Sequence, residues 1–119
     1  MPVGTAASLA RRISTLTAPD ATVDLAWNPE FLREGYAVED TLRPDRLVIG
    51  TDPDADARDA RTVLRDVYRK VIDTGLPVIE TDWSTAELVK VSANAFLATK
   101  ISFINAVSEV CEASGADIT

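Results

Sequence analysis

Residues 84–115 constrain the fold of this chain more than any other stretch, because their pattern predicts one long helix. Ser84 followed three residues later by Glu87 is typical of a capping box at a helix start. Gly115 is a suitable end, because glycine readily adopts the left-handed conformation that closes many helices. No Pro or Gly interrupts the stretch. A helix of about 30 residues would span roughly 45 Å.

The middle of this predicted helix is apolar on nearly every side. Between Ala93 and Ile104 the only charged residue is Lys100. A helix that is apolar all round is normally buried all round, and a chain of 119 residues cannot easily surround so long a helix by itself. We therefore expect a partner for it, either another subunit or further parts of the same domain.

Lys90 and Asn94 lie four residues apart and therefore share one face of this helix. An ammonium and an amide at the edge of an apolar run are costly to bury unless they are paired. The spacing alone leaves two interpretations open. Lys90 can extend to water while Asn94 bonds to backbone, or both can belong to a functional site.

Composition and charge exclude several classes of function. The chain is 46% hydrophobic and 26% charged, which is typical of a globular domain. Its net charge is −7 and it has no Lys/Arg cluster, so nucleic acid and anionic membranes are poor partners. It contains no His, which excludes Ser-His-Asp catalysis and His-ligated metals. We expect no metal site. One Cys and no signal peptide favour a cytoplasmic protein.

Short helices and strands alternate before the long helix. The pattern predicts a helix over 5–15, a short strand over 23–27, a buried strand over 47–50, a helix from Asp52 to about Asp73 and a strand over 76–80. In the helix from Asp52, we expect Ala60, Val63, Leu64, Val67 and Val71 to point inward. Strands that alternate with helices favour parallel pairing. The sequence therefore predicts an α/β fold, the late part of a doubly wound, Rossmann-like parallel sheet followed by one long central helix.

One candidate site lies in a predicted loop. Glu30 and Glu34 flank an apolar pair in residues 28–35, and two close carboxylates can differ enough in pKa for one to act as a base. Two solvated loop glutamates are the alternative. The acidic residues 52–59 superficially resemble a calcium loop, but Ala57 and Val63 stand where such a loop has Gly and Glu. A helix cap is the better interpretation. The chain contains no Gly-x-Gly-x-x-Gly motif.

Four motifs together resemble the UDP-glucose/GDP-mannose dehydrogenase family, and most closely its UDP-glucose 6-dehydrogenases. They are PVGT (2–5), NPEFLREG (28–35), DTLRPDRLVIG (40–50) and TAELVKVSANAFLATKISFIN (85–105). The match runs through essentially the whole chain in unbroken order. The resemblance implies NAD-dependent oxidation of UDP-glucose to UDP-glucuronate by two hydride transfers. GDP-mannose or a UDP-N-acetyl sugar is the alternative substrate, and a non-catalytic, helix-mediated dimerisation module is the alternative function.

The resemblance also implies roles for individual residues. Those that would bind the nucleotide sugar are Glu30, Phe31, Leu32, Arg33, Glu34, Lys90 and Asn94. Glu34 would in addition contact the NAD cofactor. Lys90, Asn94 and Glu30 would be catalytic, with the first two at the reacting sugar carbon. A fixed ammonium and an amide can stabilise negative charge on the sugar oxygen, and a carboxylate can take or relay protons.

The resemblance finally implies how the chain is organised. Residues 1–82 would be the C-terminal part of the NAD-binding domain, and residues 83–119 the start of the central dimerisation domain. A Gly-rich unit and a catalytic Thr would precede Met1, and a nucleophilic Cys with a neighbouring Asp would follow Thr119. The chain would then be an internal fragment that is inactive alone, with UDP-glucose as its ligand and a homodimer formed through the 84–115 helix.

Overall fold

A computed structural model describes residues 2–54 and 58–118. In chain order its elements are α1 (Thr5–Leu16), α2 (Ala37–Leu42), β1 (Leu47–Thr51), α3 (Arg58–Val67), α4 (Arg69–Ile72), β2 (Val78–Asp82) and α5 (Trp83–Ser114). Residues 55–57, on which part of the predicted helix start falls, lie outside the described residues. The predicted α/β class with a long helix after the sheet is confirmed.

The sheet consists of β1 and β2, which pair in parallel. Their register runs from Leu47 beside Val78 to Thr51 beside Asp82. Parallel strands need a crossover connection, and α3 with α4 supplies it. Every residue of β1 is buried, whereas β2 is partly exposed. The β-branched run of β1 thus forms the centre of the core, together with Ala6, Trp83 and Ala86.

The base of α5 packs directly against β1 because Gly50 has no side chain. A Cβ placed on Gly50 would lie 2.6 Å from the Ala86 Cβ and 3.0 Å from the Asp82 carbonyl oxygen. Contacts under 3.0 Å essentially never occur for real Cβ atoms. Gly50 therefore sets how closely the helix approaches the strand.

The predicted strand over 23–27 is wrong. In this segment only Trp27 bridges to β1, exchanging two backbone hydrogen bonds with Gly50 of 2.7 and 2.8 Å. The preceding residues have an extended sequence pattern but form no ladder with either strand of the described sheet. Val23 is accordingly exposed. The β-propensity of this segment is real, but strand formation needs a partner.

The predicted helix from Asp52 to about Asp73 is divided into α3 and α4, which meet at Tyr68. Gly75 follows with a φ of 91°, as expected of a glycine after a helix. Val63 and Val67 are 61% and 70% exposed, so their expected inward orientation is wrong. Ala60, Leu64 and Val71 are half-buried, and α3 contacts β1. A helix packed on one side buries only the stripe on that side.

The start of α5 differs from the predicted capping box. Its N-cap is Asp82, whose carboxylate accepts hydrogen bonds from the Thr85 amide at 2.8 Å and the Thr85 hydroxyl at 2.7 Å. Asp is a strong N-cap, and it leaves Glu87 available for contacts elsewhere. The predicted end is confirmed, since Gly115 has a φ of 72°. Of α5, only Trp83, Ala86 and Glu87 are buried.

Candidate functional site

The loop of residues 28–35 is fixed to the core at its first residue. The Asn28 side-chain amide donates to the Val48 carbonyl oxygen at 2.9 Å, and the Tyr68 hydroxyl donates to the Asn28 side-chain oxygen at 3.0 Å. Together with the Trp27–Gly50 bridge, these bonds join the loop to β1 and to the junction between α3 and α4. The loop therefore starts from a rigid base.

The far end of the loop is held by a bidentate ion pair between Arg33 and Asp40. The guanidinium donates at 2.7 and 3.0 Å, and the Arg33 backbone amide donates to the same carboxylate at 2.8 Å. The guanidinium hydrogen bonds and the backbone hydrogen bond keep the pKa of Asp40 below its ordinary value. The hydrogen bonds that the Arg33 guanidinium donates to the Asp40 carboxylate raise the pKa of Arg33. Both groups remain charged, and α2, which carries Asp40, thereby fixes the loop.

Glu30 and Lys90 meet at the middle of the loop. The Lys90 Nζ lies 2.8 Å from the Glu30 Oε1, and the Leu32 amide donates to the Glu30 Oε2 at 2.7 Å. The hydrogen bond from Lys90, followed by that from Leu32, lowers the pKa of Glu30. The carboxylate is therefore ionised at neutral pH, beside a fixed ammonium.

Two cations lie over the ring of Phe31. The Arg46 guanidinium carbon is 4.3 Å and the Lys90 Nζ 5.6 Å from the ring centroid. Cations within about 6 Å of an aromatic face are attracted by its quadrupole. The side chain of Phe31 thus stabilises the positive charges that surround the loop.

Two cavities adjoin the loop. One, of about 190 Å³, includes Phe31, Leu32, Arg33 and Arg46 in its lining. The other, of about 320 Å³, lies between the loop and α5 and is lined in part by Trp27, Glu30, Glu87 and Lys90. The second cavity contains both members of the Glu30–Lys90 pair, so a ligand there would meet an ammonium and a carboxylate together.

The structure brings together some of the predicted site residues and leaves others apart. Glu30, Phe31 and Lys90 are in mutual contact. Leu32 and Arg33 line the smaller cavity. Glu34 and Asn94 are exposed and line neither of the two cavities.

Glu87 is the main site residue that the sequence reasoning placed wrongly. Its carboxylate is buried and accepts hydrogen bonds from the backbone amides of Gly4 and Ala6. It does not form a capping box with Ser84. A signal was available in the sequence: Asp82 is a second possible N-cap just upstream. If Asp82 caps the helix, the Glu87 carboxylate is not needed for a capping box, and a buried Glu87 then needs a partner outside its own helix.

The described part of the chain contains no group of three or more His, Cys, Asp or Glu side chains able to hold a metal ion. Among the helices that the structure describes, none combines the length and the apolar character that crossing a membrane requires.

Comparison with known proteins gives a consistent set of relatives. Residues 1–72 match the NAD binding domain of the UDP-glucose/GDP-mannose dehydrogenase family, and residues 84–119 match its central domain. A UDP-glucose 6-dehydrogenase of Rhizobium meliloti is 48% identical over 99% of this chain and 26% of its own length. One of Bacillus subtilis is 47% identical over 99% of this chain and 25% of its own length.

Solved structures give the same result. A UDP-glucose dehydrogenase from Pyrobaculum islandicum is 41% identical, with a TM-score of 0.84, over 99% of this chain and 26% of that chain. A GDP-mannose dehydrogenase from Pseudomonas aeruginosa is 32% identical, with a TM-score of 0.68, over 78% of this chain and 20% of that chain. The chain spans about a quarter of the length of the curated relatives it matches.

Proposed function

The chain belongs to the UDP-glucose/GDP-mannose dehydrogenase family, as its motifs predicted, and we propose that it is part of an NAD-dependent UDP-glucose 6-dehydrogenase. The enzyme would oxidise the primary alcohol of UDP-glucose to the carboxylate of UDP-glucuronate in two hydride transfers. The relatives that carry this name, at 47–48% identity, support UDP-glucose over GDP-mannose or a UDP-N-acetyl sugar.

The proposal assigns residues 1–82 to the NAD-binding domain and residues 83–119 to the start of the central domain. The boundary would fall where β2 ends at Asp82 and α5 begins at Trp83. The site would then lie between the two parts, because Glu30 belongs to the first and Lys90 to the second. The 2.8 Å contact between these two side chains is the observation that carries the proposal.

The nucleotide sugar would be bound by residues 30–34 together with Lys90 and Asn94. Lys90 would donate to the sugar oxygen as negative charge develops on it, which is the role of a preorganised donor. Asn94, one turn further along α5, would add a second donor on binding. Glu30 is ionised, because Lys90 lowers its pKa. It can therefore take or relay a proton in the water-attack step.

The described residues fit a contact to NAD at one point. Glu34 is exposed. Gly35 beside it has a φ of 81°, and among the described residues none beyond its chain neighbours has an atom within 4 Å of where a Cβ would stand. Space is thus open for a ligand to approach the backbone. When bound, NAD would accept the hydrides that leave the sugar carbon. Glu34 would orient it there.

The enzyme would be a homodimer formed through α5 and would reside in the cytoplasm. Large apolar side chains are exposed along α5, among them Phe96, Leu97, Ile101 and Phe103, and contiguous exposed apolar surface marks an interface. A single Cys without a pairing partner in the sequence favours a reducing compartment.

The test of the proposed function is NADH formation by the purified full-length protein that carries this sequence. UDP-glucose, GDP-mannose and UDP-N-acetylglucosamine are compared at matched concentrations. We expect two NADH per UDP-glucose and the highest kcat/KM for that sugar. A preference for another sugar would transfer the proposal to that substrate, and no turnover with any of them would refute it.

The exposed apolar surface of α5 favours a second candidate, a non-catalytic assembly module. Titration with UDP-glucose separates the two, because an assembly module has no reason to bind a nucleotide sugar. Saturable binding by calorimetry supports the enzyme. Oligomerisation without any binding supports the assembly module.

A further inference from the structure

Glu87 is a carboxylate that the proposed chemistry does not use, yet it is among the most buried side chains of the chain. It is 3% exposed and lies in the first turns of α5, next to the buried Ala86. An ionisable side chain is rarely buried without partners that compensate for lost hydration. Its surroundings should therefore explain its presence.

The partners of Glu87 are two backbone amides at the start of α1. The Gly4 amide donates to its Oε2 at 2.6 Å, and the Ala6 amide donates to its Oε1 at 2.7 Å. The first amides of a helix have no partner within the helix, and α1 has no side-chain cap of its own. A carboxylate from α5 supplies what a local cap usually supplies.

This contact fixes the face of α5 that carries Lys90. Glu87 and Lys90 are three residues apart, so they lie on the same side of the helix. Both line the cavity that also contains Glu30. The two hydrogen bonds to α1 restrict rotation and sliding of this helical turn, and the Lys90 Nζ is thereby held 2.8 Å from Glu30.

We propose that Glu87 is a positioning residue, which aligns Lys90 with Glu30 by anchoring the base of α5 to the first turn of α1. The placement of Lys90 stands on the structure alone, whereas its consequence for catalysis rests on the proposed function. Glu87 itself would touch neither sugar nor cofactor.

The first experiment is competitive labelling of lysines with an amine-reactive reagent in the folded full-length protein, read by mass spectrometry. In the wild type, Lys90 should react more slowly than the exposed Lys70. In Glu87→Gln, an amide that cannot accept both backbone N–H groups replaces the carboxylate. The labelling of Lys90 relative to Lys70 should then rise about 2- to 5-fold, the size of losing a partly exposed ion pair.

The matched control is Glu80→Gln. Glu80 also pairs through a long-range contact, with Arg65 at 2.8 Å, but it lines neither of the two cavities that flank the loop. The Glu80→Gln variant should leave the labelling ratio of Lys90 to Lys70 unchanged. If Glu87→Gln unfolds, Glu87→Asp, which retains charge but has less reach, should give the same selective rise. The positioning role would be overturned if Glu87→Gln and Glu87→Asp both unfold. It would also be overturned if a folded Glu87 variant leaves the labelling ratio of Lys90 to Lys70 unchanged.

The second experiment is a double-mutant cycle on kcat. We expect Glu87→Gln to lower kcat about 10-fold, since a misplacement of ~1 Å can cost up to ~100-fold. In the Lys90→Ala background the same change should have no further effect, because Glu87 acts through Lys90. If Glu87→Gln lowers kcat equally in the wild-type and Lys90→Ala backgrounds, Glu87 does not act through Lys90 and contributes only to stability. A wild type without turnover would refute the proposed function, while the labelling result would still decide the placement of Lys90.

Discussion

At the scale of single residues, Lys90 is central to the proposed site. Replacing Lys90 by Ala should lower kcat by on the order of 10² or more, because one preorganised donor to a developing oxyanion contributes about that much. The measurement is steady-state NADH formation in the full-length protein. Lys70→Ala, a change of an exposed lysine on α4, is the control. A kcat unchanged in Lys90→Ala would remove Lys90 from the mechanism.

The Glu30–Lys90 pair makes a prediction about acid titration. Glu30 has a folded-state pKa below its ordinary value, first because of the Lys90 hydrogen bond and then because of the Leu32 amide. Its contribution to stability is therefore present above the ordinary pKa of a glutamate and is lost as the pH falls through the depressed value. Both side chains are partly exposed, so the contribution is small and screened by salt.

The measurement is a carboxyl-carbon NMR titration of Glu30 in the wild type and in Lys90→Ala. The variant should show a higher pKa for Glu30, because the hydrogen bond from Lys90 that lowers this pKa most is gone while the Leu32 amide stays. Identical titration curves would mean that the ion pair does not form in solution.

At the scale of elements, the start of α5 can be tested by separating its two possible caps. Asp82→Ala should lower the unfolding temperature, because it removes the acceptor of both the Thr85 amide and the Thr85 hydroxyl. Ser84→Ala should leave the unfolding temperature nearly unchanged. The unfolding temperatures are measured by differential scanning calorimetry. A larger decrease in Ser84→Ala than in Asp82→Ala would support the capping box that the sequence predicts.

The contact between α5 and β1 can be tested with a substitution at Gly50 and a second substitution that should partly compensate for it. Gly50→Ala should destabilise the protein by about 1–3 kcal/mol, the usual cost of overpacking, because the new methyl would lie 2.6 Å from the Ala86 Cβ. Adding Ala86→Gly should recover part of the loss in urea unfolding. Additive losses in the double variant would show that Ala86 is not the obstacle.

Much of the element order could be predicted from sequence, because local signals determine it. These signals include the helix end at Gly115, the buried run of β1 and the apolar pattern of α1. Each depends only on residues that are close in sequence. The strand over 23–27 and the inward orientation of Val63 were mispredicted, since both depend on which neighbours are available. The anchoring of Glu87 escaped prediction for the same reason: its partners lie 81 and 83 residues away. The family motifs, rather than any periodicity, predicted that Glu30 and Lys90 belong to one site, and the two side chains lie 2.8 Å apart.

At the scale of the whole molecule, α5 dominates the shape. The chain measures 71 × 33 × 22 Å along its principal axes, and the buried residues of α5 all lie near its start. Along the remainder of the helix, large apolar side chains are exposed, among them Phe96, Leu97, Ile101 and Phe103. This arrangement is the physical basis for the proposed homodimer.

Phe103→Glu tests that interface, since a charge placed on the apolar surface should weaken dimerisation at least 10-fold, about 1.4 kcal/mol. Phe103 is 68% exposed and Leu16, on α1, is 77% exposed. Leu16→Glu, an equal change at an equally exposed apolar position, should leave the dimer intact. Analytical ultracentrifugation of both variants decides the matter. An unaffected Phe103→Glu dimer would place the interface elsewhere.

The contact between Glu87 and the start of α1 also sets an order of events during synthesis. The Gly4 amide leaves the ribosome well before its acceptor, which follows 83 residues later. At ~5–20 residues per second, the delay is roughly 4–17 s. During that time α1 has no side chain to satisfy its first amides. The α1 helix can thus receive its cap from Glu87 only after the sheet and the first turns of α5 have been translated.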